Sequence, residues 1–169
     1  MVDPWARTAH EIGGFKLAPP QRAIESLSSR ISIGVDTLHL RIWQPDEFHA
    51  TIVMLHGVVS HSLWLAPIAV RLAQQGFRVV CPDRRGAGMN RQGRGDSESK
   101  EQQLNDLAQI IKQYSDAGKP HLCGACWGAN YERNYLGYHA DSVASISLLA
   151  PAVFPAKALR AASILVSDS

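Results

Sequence analysis

Within residues 119–138 the hydrophobic pattern changes period in the space of a single turn. His121-Leu122-Cys123 reads as a short strand, and residues 127–138 read as a helix. The junction between them is Gly124-Ala125-Cys126-Trp127-Gly128, a G-x-C-x-G pentapeptide. A strand that reverses at once into a helix leaves room only for small residues on either side of the reversal. Side chains at 124 and 128 would collide with the returning backbone. The residue at the apex is strained and lifted clear of the sheet. In this context the turn reads as a nucleophile elbow, with the thiol of Cys126 at its apex.

The rest of the pattern supplies the sheet that an elbow needs. Ile31 and Ile33 alternate with serine, and Leu38, Leu40, Ile42 and Trp43 follow a Gly34-Val35-Asp36 turn, so an antiparallel hairpin is predicted from Arg30. Residues 51–55 are a continuous apolar run, as expected of a strand buried on both faces of a parallel sheet. A helix is predicted from Ser62 through Ala73 with Gly76 as its stop, followed by a second buried strand at 77–81. Residues 84–98, with four glycines and four arginines, form a long polar loop. Leu104, Leu107, Ile110, Ile111 and Tyr114 mark one face of the next helix, and residues 143–149 a further strand before Pro151.

Strands alternating with helices imply an α/β fold with a mostly parallel sheet flanked by helices. Ligands bind such sheets at the carboxyl ends of the strands, and His56-Gly57, Asp83 and Cys126 all fall there. Residues 1–27, with Pro19-Pro20, read as an irregular lead-in, 28–155 as a partial core, and 156–169 as the start of a cap region.

Composition narrows the function. With 46% hydrophobic and 19% charged residues the chain is an ordinary globular one, and a net charge of +2 points away from nucleic acid. No stretch approaches a membrane span. Three cysteines (Cys81, Cys123, Cys126) are too few for a disulfide framework, and with no signal peptide in view a cytoplasmic location is expected.

Three motifs then carry a family resemblance. Leu55-His56-Gly57, Pro82-Asp83-Arg84-Arg85-Gly86-Ala87-Gly88 and His121-Leu122-Cys123-Gly124-Ala125-Cys126-Trp127-Gly128-Ala129 resemble, in that order, the oxyanion turn, the loop after the fourth strand and the elbow of the α/β-hydrolase superfamily. The chain looks most like the lysophospholipase and monoacylglycerol-lipase-like branch. The resemblance covers roughly residues 28–155 and implies a fold truncated after about the sixth strand. Two departures stand out: Ala129 where a glycine is frequent, and Met89-Asn90 where a glycine or serine is usual.

The resemblance implies acyl transfer through an acyl-enzyme on Cys126. The substrate would be a small carboxylic ester or thioester, with no cofactor and no metal. The oxyanion would be held by the backbone N–H groups of Trp127 and Val58, while His56, Gly57, Gly124 and Gly128 support the two turns. The α/β-hydrolase order is nucleophile, acid, histidine. After Cys126 come Glu132, Asp141, Asp168 and the single histidine His139, which lies roughly 20 Å along the helix. Neither the acid nor the histidine of the triad is found in this chain. A complementary chain carrying both is one expectation; a truncated product or an excised fragment is another.

Other readings stay open. Cys123-Gly124-Ala125-Cys126 is also a C-x-x-C, the spacing of a thiol redox pair or half a zinc site. A hydrolase-fold remnant serving as an inactive binding module is the main alternative to an enzyme. His56 reads as a structural hydrogen-bonding group and Asp83 with Arg84 and Arg85 as a loop-bracing salt-bridge set. Arg84, Arg85, Arg91 and Arg94 suit either an anionic group or a solvated loop neutralised in part by Asp96 and Glu98.

Overall fold

The computed structural model describes residues 24–91, 93–94 and 99–151. Six strands, β1 (Ser26–Ile33), β2 (Asp36–Trp43), β3 (Ala50–Leu55), β4 (Phe77–Pro82), β5 (His121–Ala125) and β6 (Ser145–Leu149), form one sheet in the order β1-β2-β4-β3-β5-β6. The pairings β4–β3, β3–β5 and β5–β6 are parallel, and β1–β2 and β2–β4 are antiparallel. The fold is therefore an α/β structure with a mostly parallel sheet.

Helices cover both faces. α1 (Ala66–Gln74) lies on one side, where Ala69 and Ala73 pack with Trp43, Met54, Val79 and Cys81. α2 (Lys100–Gln113) and α3 (Trp127–His139) lie on the other, joining Leu107, Ile110, Tyr131 and Tyr135 to Leu40, Val53 and Leu122. From β3 the chain steps outward to β4, then returns past β3 to β5. A right-handed crossover in each direction requires helices on opposite faces. The direction of travel thus reverses at β3, and the crevice between the carboxyl ends of β3 and β5 is the topological switch point where such sheets bind ligands.

Three boundaries differ from the sequence expectation. β1 begins at Ser26 rather than Arg30, because Ser26 finds a ladder partner in Trp43. The helix predicted from Ser62 starts as a 3-10 turn, Ser62–Leu65, and becomes α-helical only at Ala66. Pro67 has no N–H to donate, so it fits only the first turn of an α-helix. The strand predicted from Val143 begins at Ser145, where pairing with His121 starts. Residues 156–169, expected to begin a cap region, and most of the expected lead-in lie outside the described residues.

Candidate active site

Cys126 follows β5 and precedes α3 with φ 55° and ψ −111°, an unusual conformation for a residue with a side chain. Its N–H donates to Leu149 O at 2.9 Å, which fixes the apex to β6. The flanking glycines are sterically required. A Cβ on Gly124 would lie 2.5 Å from Ala129 N, and one on Gly128 would lie 2.2 Å from Leu55 O. Their absence lets α3 pack directly on the backbone of β3 and β5. The Cys126 side chain is exposed at the resulting rim.

The turn after β3 meets this apex. An ideal Cβ on Gly57 would stand 3.5 Å from Cys126 Cβ and 3.9 Å from Sγ, so Gly57 approaches the thiol closely. His56 is fully buried behind the turn. Its Nε2 accepts from the Arg84 N–H at 3.1 Å, which places the ring proton on Nδ1, donating to Gly57 O at 2.8 Å. Burial is the main cause holding His56 down at about 4, so it is neutral at ordinary pH and serves as a brace rather than a base. Arg84 Nη2 adds donations to Gly57 O and Val58 O, both at 2.9 Å. In a trans peptide the C=O and the following N–H point oppositely. With Gly57 O held by His56 and Arg84, the Val58 N–H therefore faces away from both. Among the described residues no backbone acceptor outside a helix or strand takes the N–H of Val58 or of Trp127.

Asp83, at the end of β4, is a buried hub. Its Oδ1 accepts from Ser62 N at 2.7 Å, and its Oδ2 from Met89 N at 2.9 Å and from His39 Nδ1 at 2.8 Å. Burial pushes this carboxyl up, but the donors from Met89, Ser62 and His39 outweigh it and hold it below the usual range. Its side-chain partner across the sheet is thus His39. Arg84 and Arg85 do not pair with it: Arg84 binds the turn after β3, and Arg85 binds Asp36 and Asp106. The three adjacent charged side chains thus take separate partners. Asn90, noted as a departure in the loop, donates to Asp83 O at 2.6 Å and accepts from His39 N at 2.9 Å.

Among the described residues, the remaining sequence candidates stand apart from the apex. Cys123 is buried in the α1-side core, where burial pushes its thiol up to about 11, and all three cysteines are free. Glu132 is fully buried one to two turns down α3, with no hydrogen-bond partner for either oxygen among the described residues. Burial pushes its carboxyl up to about 8, against a smaller pull from the Gly124 N–H. His139, at the far end of α3, packs on Tyr135 at 4.7 Å between ring centroids. Asp141 lies in the 3-10 turn beyond it, and Asp168 is outside the described residues. Among the described residues no group of three or more His, Cys, Asp or Glu is arranged to hold a metal ion. Among the described residues no helix is long and apolar enough to cross a membrane.

His39 was the residue missed from sequence. It sits on β2 in register with Arg30, and its exposure is 2%. A histidine at a buried strand position needs a polar partner, and that requirement was the available signal.

Comparison with known proteins places this geometry. A profile of the family described as serine aminopeptidase, S33, matches residues 46–167. An uncharacterized abhydrolase domain-containing protein of Dictyostelium discoideum is 33% identical over 135 residues, which are 76% of this chain and 14% of that protein. Among solved structures, a thioesterase domain from the curacin biosynthetic pathway superimposes with a TM-score of 0.67 at 21% identity, covering 80% of this chain and 50% of that one. A membrane phospholipase A described as a bacterial virulence factor gives 0.66 at 20% identity, covering 78% and 42%. The α/β hydrolase GrgF from Penicillium gives 0.67 at 20%, covering 76% and 46%. The chain spans half the length or less of these solved structures, and a smaller share of the Dictyostelium protein.

Proposed function

Because this chain belongs to the serine aminopeptidase S33 family of α/β hydrolases, we propose that its elbow performs acyl transfer with sulfur in place of the serine oxygen that the family is named for. Cys126 Sγ attacks the carbonyl carbon of a carboxylic ester or thioester, forming the C–S bond of an acyl-enzyme. The carbonyl oxygen takes up the displaced electron pair and accepts from the N–H groups of Val58 and Trp127. A histidine takes the proton of Cys126 Sγ and gives it to the departing alcohol or thiol as the intermediate collapses. Water or a second acceptor then releases the acyl group. That histidine and its acid partner come from outside residues 24–151, supplied by further chain or by a complementary one. Within this chemistry we place the substrate among small acyl esters such as those of the lysophospholipase-like branch, and the protein in the reducing cytoplasm.

The observation that carries the reading is the conformation of Cys126, φ 55° with an exposed side chain between two glycines that tolerate no Cβ. Strain of this kind is kept where it serves a site. Replacing Cys126 with alanine in the complete protein is expected to abolish turnover of an activated ester. Unchanged turnover would refute the assignment. The second reading, an inactive binding module, is favoured by the thiol's lack of a hydrogen-bonded base among the described residues. It predicts no turnover in the complete protein to begin with.

A further inference from the structure

A second concavity lies on the same rim. Between the β1–β2 hairpin and the loop after β4 is a cavity of about 400 Å³, lined among others by Arg30, Asp36, Thr37, Arg85, Met89 and Arg91. Its charges are unequally compensated. Arg85 is locked, with Nε and Nη2 on Asp106 at 2.7 and 3.0 Å and Nη1 on Asp36 at 2.6 Å. Asp36, the acid in the lining, is therefore already committed. Arg30 and Arg91 are exposed and make no ion pair or hydrogen bond among the described residues. Two guanidinium groups, with ten N–H donors between them, thus face one cavity with no acceptor.

Planar guanidinium forks match phosphate oxygens, and a pair of them neutralises a dianion. We propose that this cavity binds a phosphate monoester group, held by Arg30 and Arg91 and oriented by the fixed Arg85–Asp36 pair. The site is separate from the elbow. β2 and β5 are three strands apart in the sheet, which at about 4.8 Å per strand puts the cavity roughly 15 Å from Cys126. Phosphate binding stands on the cavity alone. Its role as a substrate subsite rests on the acyl-transfer reading: the substrate would carry its acyl group at Cys126 and its phosphate here.

The test uses the full protein, wild type and the double variant Arg30→Gln/Arg91→Gln. Both replacements are at exposed positions, and thermal unfolding of each single variant verifies the fold. Binding of glycerol phosphate is measured by calorimetry, and binding of vesicles with or without phosphatidic acid by co-sedimentation. Saturable glycerol phosphate binding that weakens at least tenfold in the double variant supports a soluble phosphate ligand. Binding only to phosphatidic acid vesicles, with the same loss, supports a lipid headgroup. No binding in either arm, or binding equal in wild type and variant, overturns the site. Iodoacetamide labelling of Cys126 is read in parallel and is expected to be equal in both proteins. Failure at the cavity is thereby separated from failure at the elbow. In turnover, the double variant is expected to raise KM for a phosphate-bearing ester, leaving kcat and the KM of an uncharged ester unchanged.

Discussion

Cys126 and its two glycines show how little freedom individual residues have at this turn. Gly128 cannot gain a methyl group without meeting Leu55 O at 2.2 Å, which is backbone and cannot yield. Gly128→Ala is expected to lower stability by about 2–4 kcal/mol in chemical denaturation. Gly137, on the same helix, has open space around its Cβ position. Gly137→Ala is expected to stabilise by about 0.5–1 kcal/mol in the same assay, since alanine loses less entropy in a helix. Equal effects at the two sites would contradict the packing described. Glu132 makes a second residue-scale prediction. Its folded carboxyl is raised to about 8, whereas in the unfolded chain it ionises near an ordinary value of about 4.3. Between those two values the folded state holds the extra proton, so stability falls as pH rises and levels off above 8. Glu132→Gln is expected to flatten this limb, with a gain of a few kcal/mol at pH 9 and little at pH 4.5. A parallel pH profile in the two proteins would count against it. The glycine pattern was legible in sequence because a steric demand leaves a residue-type signature. The burial of Glu132 was not, because a polar residue on a helix gives no sign of which face meets the sheet.

At the scale of elements, two loops meet at the switch point, each held by partners from elsewhere. The turn after β3 depends on Arg84, whose Nη2 binds Gly57 O and Val58 O. Arg84→Ala removes both donations and frees the peptide that sets the Val58 N–H. As a positioning residue it is expected to lower kcat for an activated ester by roughly 10- to 100-fold with KM little changed. Lysine, which keeps the charge but not the fork, should recover only part of it. A uniform rise in KM would indicate a binding role instead. The three strand-end motifs were readable because apolar runs locate strands and the residues after them must lie at one rim. The partners of Asp83 were not readable from its neighbours. Adjacent arginines suggested a local salt bridge, yet the side chain that bonds Asp83 is His39, 44 residues earlier and across the sheet. Strand pairing brought them together, and β2–β4 pairing is not written in either strand alone. The 3-10 entry into α1 was legible in principle, since Pro67 marks where the α-helix can begin.

For the whole molecule, the sheet order explains the site better than any single motif does. The reversal at β3 puts the turn after β3 and the elbow side by side, and the helices that enforce it bury two separate cores. The two ends of the sheet differ in kind. β1 carries Arg30 on its exposed face, whereas β6, Ser-Ile-Ser-Leu-Leu, carries no charge and leaves Leu148 and Leu149 at 40% and 38% exposure. An uncharged apolar edge invites pairing, and a charged one resists it. The 169-residue chain is expected to self-associate in sedimentation, and Leu148→Lys to reduce that association. A strictly monomeric wild-type chain would refute the edge argument. The α/β class and most element positions were legible from hydrophobic period. The order of strands was not, because it depends on long-range pairing.

The acyl transfer proposed above passes through an acyl-enzyme on Cys126. Intact mass spectrometry of the complete protein, quenched during turnover of an activated acyl ester and followed by peptide mapping, reads this directly. The mass of one acyl group is expected on the peptide containing Cys126, and is expected to be absent from Cys126→Ala. An acyl group elsewhere, or turnover with none on that peptide, would contradict it.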